Sequence, residues 1–214
     1  NIYVLANQSQ PVRSACYISK HLGSSLALDN SFGTQGKFQL HGFSSSSDVN
    51  CVDVHIDNTG NIYILRNTGN TIVAPFTFGF RIRKYNAQMV SDGSFGDATL
   101  GELAVEDALA SSFSANRMYA VSNGLLVSGI KAGVATIARI TLAGEVAGYI
   151  QLPALKSISK IVIGTDGALY VSGMGQNNRF RLEKFQADGS PLTTFNGSGF
   201  IADNFFSNAV SIQD

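Results

Sequence analysis

Gly60-Asn61-Ile62-Tyr63-Ile64-Leu65 decides how this chain is read, because the same phrase keeps returning. It recurs as Asn1-Ile2-Tyr3-Val4-Leu5, as Gly124-Leu125-Leu126-Val127-Ser128 and as Gly167-Ala168-Leu169-Tyr170-Val171-Ser172. Each copy is a short run rich in β-branched, aromatic and aliphatic residues, and three carry Tyr at the third place after the glycine position. The glycines at 60, 124 and 167 lie 64 and 43 residues apart, which brackets a repeat of roughly 40–50 residues once loop insertions are allowed.

Working outward, a second run precedes each glycine: Val52–Ile56, Arg117–Val121, Lys160–Ile163 and, at the C-terminal end, Ala209–Ile212. Val54, Met118, Ile161 and Val210 share one apolar position, and Ile56, Ala120, Ile163 and Ile212 share the next but one. That alternation is a strand of period two. A third run reads x, Ile or Leu, x, Lys or Arg, then a large residue: Tyr17–His21, Arg81–Tyr85, Thr136–Ile140 and Arg181–Phe185. A weaker fourth run follows around Lys37–Leu40, Gly101–Val105, Val146–Leu152 and Gly199–Ala202.

Asp57-Asn58-Thr59-Gly60, Asn123-Gly124 and Asp166-Gly167 supply residues that tolerate positive φ in tight hairpins. Four strands in each of four units predict an all-β, four-bladed β-propeller over residues 1–214, one domain with repeats at about 1–57, 58–121, 122–164 and 165–214. The chain opens on a second strand and closes on a first, so Asn208–Asp214 is expected to complete the N-terminal blade. Such closure removes the exposed sheet edge of an open array. The alternative is a segment of a larger propeller array, and the start at Asn1 reads as a mature segment or an excised fragment. Glu102–Phe113 departs from the pattern, with Val105, Leu109 and Phe113 spaced by four, and predicts a short helix in an inserted loop.

Between the third and fourth runs stand Leu28-Asp29-Asn30-Ser31-Phe32-Gly33 and Ser91-Asp92-Gly93-Ser94-Phe95-Gly96, echoed more loosely from Asp188-Gly189-Ser190 through Phe195-Asn196-Gly197. The third unit, Leu142-Ala143-Gly144-Glu145, lacks Ser-Phe-Gly. A basic residue, an aromatic, a short turn and then Asp-x-Ser-Phe-Gly resembles the delta-60 repeat of bacterial propeller-like proteins, and the resemblance covers nearly the whole chain. In this motif Asp29 is expected to bond its own turn, Phe32 and Phe95 to plug the space between blades, and the following glycine to relieve backbone strain.

Composition narrows the function. The chain is 44% hydrophobic and only 14% charged, with 22 Gly, and its 15 basic residues balance 15 acidic ones. It therefore carries no net field to draw it to nucleic acid or an anionic membrane. No run approaches the roughly 18 apolar residues of a membrane helix, so membrane insertion is not expected. Low charge and abundant Ser, Asn and Gly suit a secreted or cell-surface bacterial protein. Cys16 and Cys51 fall on strands of different depth in neighbouring blades, which predicts two buried free thiols over a disulfide.

Two sets of polar residues are candidate sites. Asp53, His55, Arg117, Tyr119 and Lys160 alternate with the apolar pair on the inner strands, the place where a propeller channel could hold a small molecule or ion; mutual pairing of these side chains is the plainer reading. Arg117 and Lys160 disfavour a cation there, so no metal and no cofactor is expected. Lys20, Lys84, Arg139 and Lys184 recur once per repeat, either as equivalent sites for acidic groups or glycans or as braces for the repeat's turns. Asp57-Asn58-Thr59-Gly60-Asn61 looks like part of a calcium loop but lacks its distal Glu and reads as a hairpin turn.

Of the histidines, His21, His41 and His55, none belongs to a hydrolase or metal motif, and no nucleophile elbow or phosphate-cradling loop appears, so no catalytic residue is assigned. The expected role is a non-enzymatic binding or scaffold module presenting loops to a protein or glycan partner. The alternatives are a channel-centred lactonase- or lyase-like enzyme using Asp53 and His55, and a self-associating structural segment of an adhesin or filament. Asn7-Gln8-Ser9 and Asn196-Gly197-Ser198 match the glycosylation acceptor pattern at a frequency that chance supplies.

Overall fold

The computed structural model describes residues 1–8, 15–40, 47–70, 77–108 and 111–203. Their strands form four sheets, each following the chain order. The first holds β1 (Ile2–Gln8), β2 (Ala15–His21) and β3 (Lys37–Leu40); the second β4 (Ser47–Ile56), β5 (Ile62–Asn70), β6 (Thr77–Tyr85) and β7 (Glu102–Ala108). The third holds β8 (Phe113–Val121), β9 (Gly124–Lys131), β10 (Val134–Thr141) and β11 (Val146–Gln151); the fourth β12 (Leu155–Ile163), β13 (Leu169–Gly175), β14 (Phe180–Phe185) and β15 (Phe200–Asp203). The chain is thus all-β, with antiparallel strand pairs. No helix among the described residues is long and apolar enough to cross a membrane.

Turn chemistry explains why the hairpins form where they do. Asp57 Oδ1 accepts the backbone N–H groups of Thr59 and Asn61, each at 2.9 Å, and Gly60 takes φ +87°. The carboxylate is consumed by its own turn, as befits a hairpin. Asp166 does the same for Ala168 N at 3.0 Å beside Gly167 at φ +78°.

The residues divide into two compact units, Asn1–Met118 with Leu142–Glu145, and Tyr119–Thr141 with Val146–Asp214, so the boundary falls within β8. The first unit is built on Cys16, Ile18, Phe32, Leu40, Ile62, Ile64, Tyr85 and Met89, with Tyr3, Val54 and Ile56 packed against them. The second is built on Leu126, Ile137, Ile150, Leu152, Leu155, Ile158, Ile161, Leu169, Val171 and Phe185. The proposed closing strand, Asn208–Asp214, lies outside the described residues.

Three expectations are corrected. Cys16 and Cys51 are joined in a disulfide, with Cα atoms 6.0 Å apart. A bulge between Cys51 and Asp53 breaks the register of β4, so strand depth counted back from Gly60 does not carry through to Cys51. Glu102–Ala108 is strand β7 and Phe113 begins β8. Leu103 and Val105 are buried while Ala104 and Glu106 are exposed, a period of two that the spacing by four concealed. Finally, Asp188 is not the counterpart of Asp29. Asp29, Asp92 and Leu192 are the residues whose N–H groups bond to Lys20, Lys84 and Lys184 carbonyls, and whose own carbonyls receive Phe32, Phe95 and Phe195 N–H.

Candidate functional site

The basic residues of the third strands act locally. Lys20 Nζ lies 2.8 Å from Asp29 and Lys84 Nζ 2.6 Å from Asp92. Each aspartate also receives a serine N–H and hydroxyl, from Ser31 and Ser94. The lysine bond, reinforced by serine, holds both carboxyls at about 2. In the fourth repeat Leu192 stands where the aspartate would, and Lys184 instead lies 4.7 Å from the Tyr170 ring centroid and 3.7 Å from Asp166. Its pKa is raised, first by the Tyr170 hydroxyl. Arg139 reaches across to the Asp188 backbone carbonyl.

Over each lysine position sits an aromatic pair. Tyr3, Tyr63 and Tyr170 are the cross-strand neighbours of Lys20, Lys84 and Lys184. Each meets the loop phenylalanine edge-on: Tyr3–Phe32 at 5.8 Å, Tyr63–Phe95 at 5.7 Å and Tyr170–Phe195 at 6.0 Å between centroids. Such pairs contribute about 0.5–1.5 kcal/mol beyond burial. Gly33 and Gly96 follow at φ +56° and +64°, where Cβ atoms would strike backbone at 2.2 and 2.4 Å.

The inner-strand candidates divide between the units. Asp53 spends both oxygens on backbone, Oδ1 on Val54 N and Oδ2 on Met118 N, each at 2.9 Å. Tyr119 does the equivalent one repeat later, its hydroxyl accepting Ile161 N at 3.2 Å. Met118 and Ile161 occupy the same repeat position, so Asp53 and Tyr119 are braces of one kind. His55 lies opposite Tyr63 on β5, ring centroids 6.3 Å apart. Arg117 on β8 and Lys160 on β12 are exposed.

Sequence reasoning missed two arrangements. Asn7 clamps Cys51 by donating to its carbonyl (2.8 Å) and accepting its N–H (2.9 Å), and Asn67 clamps Ala115 identically (2.9 and 2.8 Å). Asn7 follows Tyr3 by four places as Asn67 follows Tyr63, a signal present in the repeat. The same bonds engage the Asn7 amide nitrogen and oxygen, against its use as a glycan acceptor. The second arrangement is a charged cluster on β5, β6 and β7: Glu102, 4% exposed, lies 2.5 Å from Arg66 and 2.8 Å from Arg81, which also holds Glu106 at 2.5 Å. Burial lowers the Arg66 pKa, opposed by Glu102. Two carboxylates facing two guanidiniums leave this group internally neutral. Read as a strand, Glu102 and Glu106 fall on one face, which was the available clue.

Within the second unit two clefts flank Arg139. One, of about 160 Å³, is lined by Asn123, Leu126, Thr141, Ile163 and Leu169 among others. The other, of about 550 Å³, is lined by Tyr149, Gln151, Glu183 and Ser190 among others, with Glu183 already bonded to Arg181 at 2.5 Å. Among the described residues no three or more His, Cys, Asp or Glu gather as a metal site would require.

Neither a protein-family model nor a curated protein sequence matches the chain. Among solved structures it is similar to a catalytically inactive variant of virginiamycin B lyase from Staphylococcus aureus, crystallised with quinupristin, at 16% identity and a TM-score of 0.33. The match covers 66% of this chain and 58% of that one.

Proposed function

We propose that this chain is a four-bladed, delta-60-type β-propeller that acts as a non-enzymatic binding or scaffold module, presenting its loops to a protein or glycan partner outside the cell. The observation that carries the reading is the distribution of exposed apolar side chains. Leu26, Val90 and Leu142, 63%, 60% and 59% exposed, all stand in the connection that follows the third strand of a repeat. Leu22 and Leu100 are exposed in the same connections. Apolar residues that recur on equivalent loops are the side chains a docked partner would cover.

The polar residues that recur point the same way. Lys20, Lys84, Asp53 and Tyr119 are engaged in holding the repeat together, which leaves the loops as the variable surface. The Cys16–Cys51 disulfide favours an oxidising, extracellular compartment. Against the enzyme alternative, Asp53 has both oxygens bonded to backbone N–H groups.

The test is a triple variant, Leu26→Ser, Val90→Ser and Leu142→Ser, compared with the parent on glycan arrays and on extracts of bacterial surface proteins. Retention by the parent and loss by a variant of unchanged melting temperature supports the reading. Equal behaviour of the two would sink it. Light scattering separates self-association, in which the parent alone would form oligomers. Ring closure is checked by removing Asn208–Asp214, which should lower the melting temperature.

A further inference from the structure

The third repeat has lost its plug, and a cleft lies where the plug would be. In the first repeat Phe32 is buried among Ile62 and Tyr85 of the following sheet, with Ile56 beside them. The strand registers give their counterparts one sheet pair on. Ile62 pairs with Tyr85 and with Ile56, and Leu169 pairs with Phe185 and with Ile163. Leu126, the cross-strand neighbour of Arg139, takes the place of Tyr3. Leu126, Ile163 and Leu169 are walls of the cleft of about 160 Å³.

Nothing in the third repeat's own sequence can fill that space. Its third and fourth strands are joined by Leu142–Glu145 alone, so the Asp-x-Ser-Phe-Gly excursion is missing whole. Two groups go with it: the aromatic ring, and the aspartate that neutralises the basic residue. Arg139 accordingly lines the cleft, where it donates to the Asp188 backbone carbonyl. A guanidinium has five donors. Asn123, Ser122 and Thr141 add polar walls.

We propose that this cleft is a binding site for a small ligand that replaces what the repeat lacks: a single aromatic ring bearing a carboxylate. Size agrees, since a cavity of about 150 Å³ takes a benzene-sized molecule. The ring meets Leu126, Ile163 and Leu169, and the carboxylate meets Arg139. This site is independent of the loop surface proposed above, so either can fail alone.

Phenylacetate is the probe, with acetate and benzyl alcohol as its two halves, followed by backbone amide chemical shifts of the intact chain. Phenylacetate should give saturable shifts at Leu126, Arg139, Ile163 and Leu169, with each half binding at least about tenfold more weakly. Arg139→Gln should weaken binding by about tenfold or more. Leu126→Phe, which refills the cleft, should abolish it; so should Ala187→Leu, a gentler change on an exposed wall residue. The proposal is overturned if phenylacetate produces no saturable shifts there, if either half binds as well as the whole, or if Ala187→Leu melts normally and still binds.

Discussion

Asn67 holds both backbone groups of Ala115, donating to its carbonyl at 2.9 Å and accepting its N–H at 2.8 Å. The two residues are 48 apart in sequence, so one side-chain amide ties β5 to the start of β8. Removing it leaves two part-buried backbone groups without that partner, each costing about 1–3 kcal/mol when unsatisfied. Asn67→Ala should therefore destabilise the fold by about 2–4 kcal/mol, allowing for partial rehydration. Asn67→Asp keeps the acceptor and should cost less than Asn67→Ala. Urea unfolding of the three proteins checks the order.

At the equivalent place in the first repeat the clamp is backed by a covalent link. Asn7 is the cross-strand neighbour of Cys16 and binds the backbone of Cys51, so the clamp from β1 and the disulfide from β2 tie two paired strands to the same residue of β4. Closing a loop over a separation of 35 residues is worth about 2–4 kcal/mol. Cys16→Ser with Cys51→Ser should lose that amount, and reductant should lower the melting temperature of the parent but leave the double variant unaffected. Insensitivity of the parent to reductant under unfolding conditions would contradict the bridge.

Glu102 sits between two guanidiniums in a nearly dry place, and its loss would take the shared carboxylate from both Arg66 and Arg81. Breaking a buried pair from one side costs about 3–5 kcal/mol, whereas replacing both partners by apolar residues is often close to neutral. Glu102→Ala should show the large loss, and Arg66→Met with Glu102→Leu should recover most of it. Chemical denaturation measures both. A double variant no better than the single one would show that Arg81 and Glu106 depend on Glu102 for their own placement.

Acid should act through Asp29 and Asp92. Their folded pKa values, about 2, lie below the ordinary 3.8 because Lys20 and Lys84 donate to them, with Ser31 and Ser94 adding to the effect. A depressed folded pKa gives stability that is complete above pH 4 or so and drains away as pH falls from there toward 2. The parent should lose stability across that window more steeply than an Asp29→Asn, Asp92→Asn double variant, with the two curves converging near pH 2. Thermal melts from pH 2 to 7 supply the comparison.

Much of the fold was legible without coordinates. The turn residues at Asp57–Gly60, Asn123-Gly124 and Asp166-Gly167 and the period-two runs around them depend on neighbours a few places away, and local chemistry of that kind is written directly in the chain. Each of the fifteen strands among the described residues overlaps a run placed by the repeat, although β8 begins at Phe113, four residues before its run Arg117–Val121. The polar residues were a different matter. That Asp53 and Tyr119 would brace Met118 and Ile161, or that Leu192 and not Asp188 follows Lys184, depends on which backbone passes within hydrogen-bonding distance.

Repetition, turn chemistry and alternation by themselves determined an all-β chain of four small antiparallel sheets, because each is a property of neighbouring residues. Only the tertiary structure decided that Cys16 meets Cys51, that Glu102 lies between Arg66 and Arg81, and that a cleft accompanies the shortened loop of the third repeat. Those outcomes turn on a single bulge or a few ångströms of approach between strands far apart in sequence, and a one-residue slip in register reverses them.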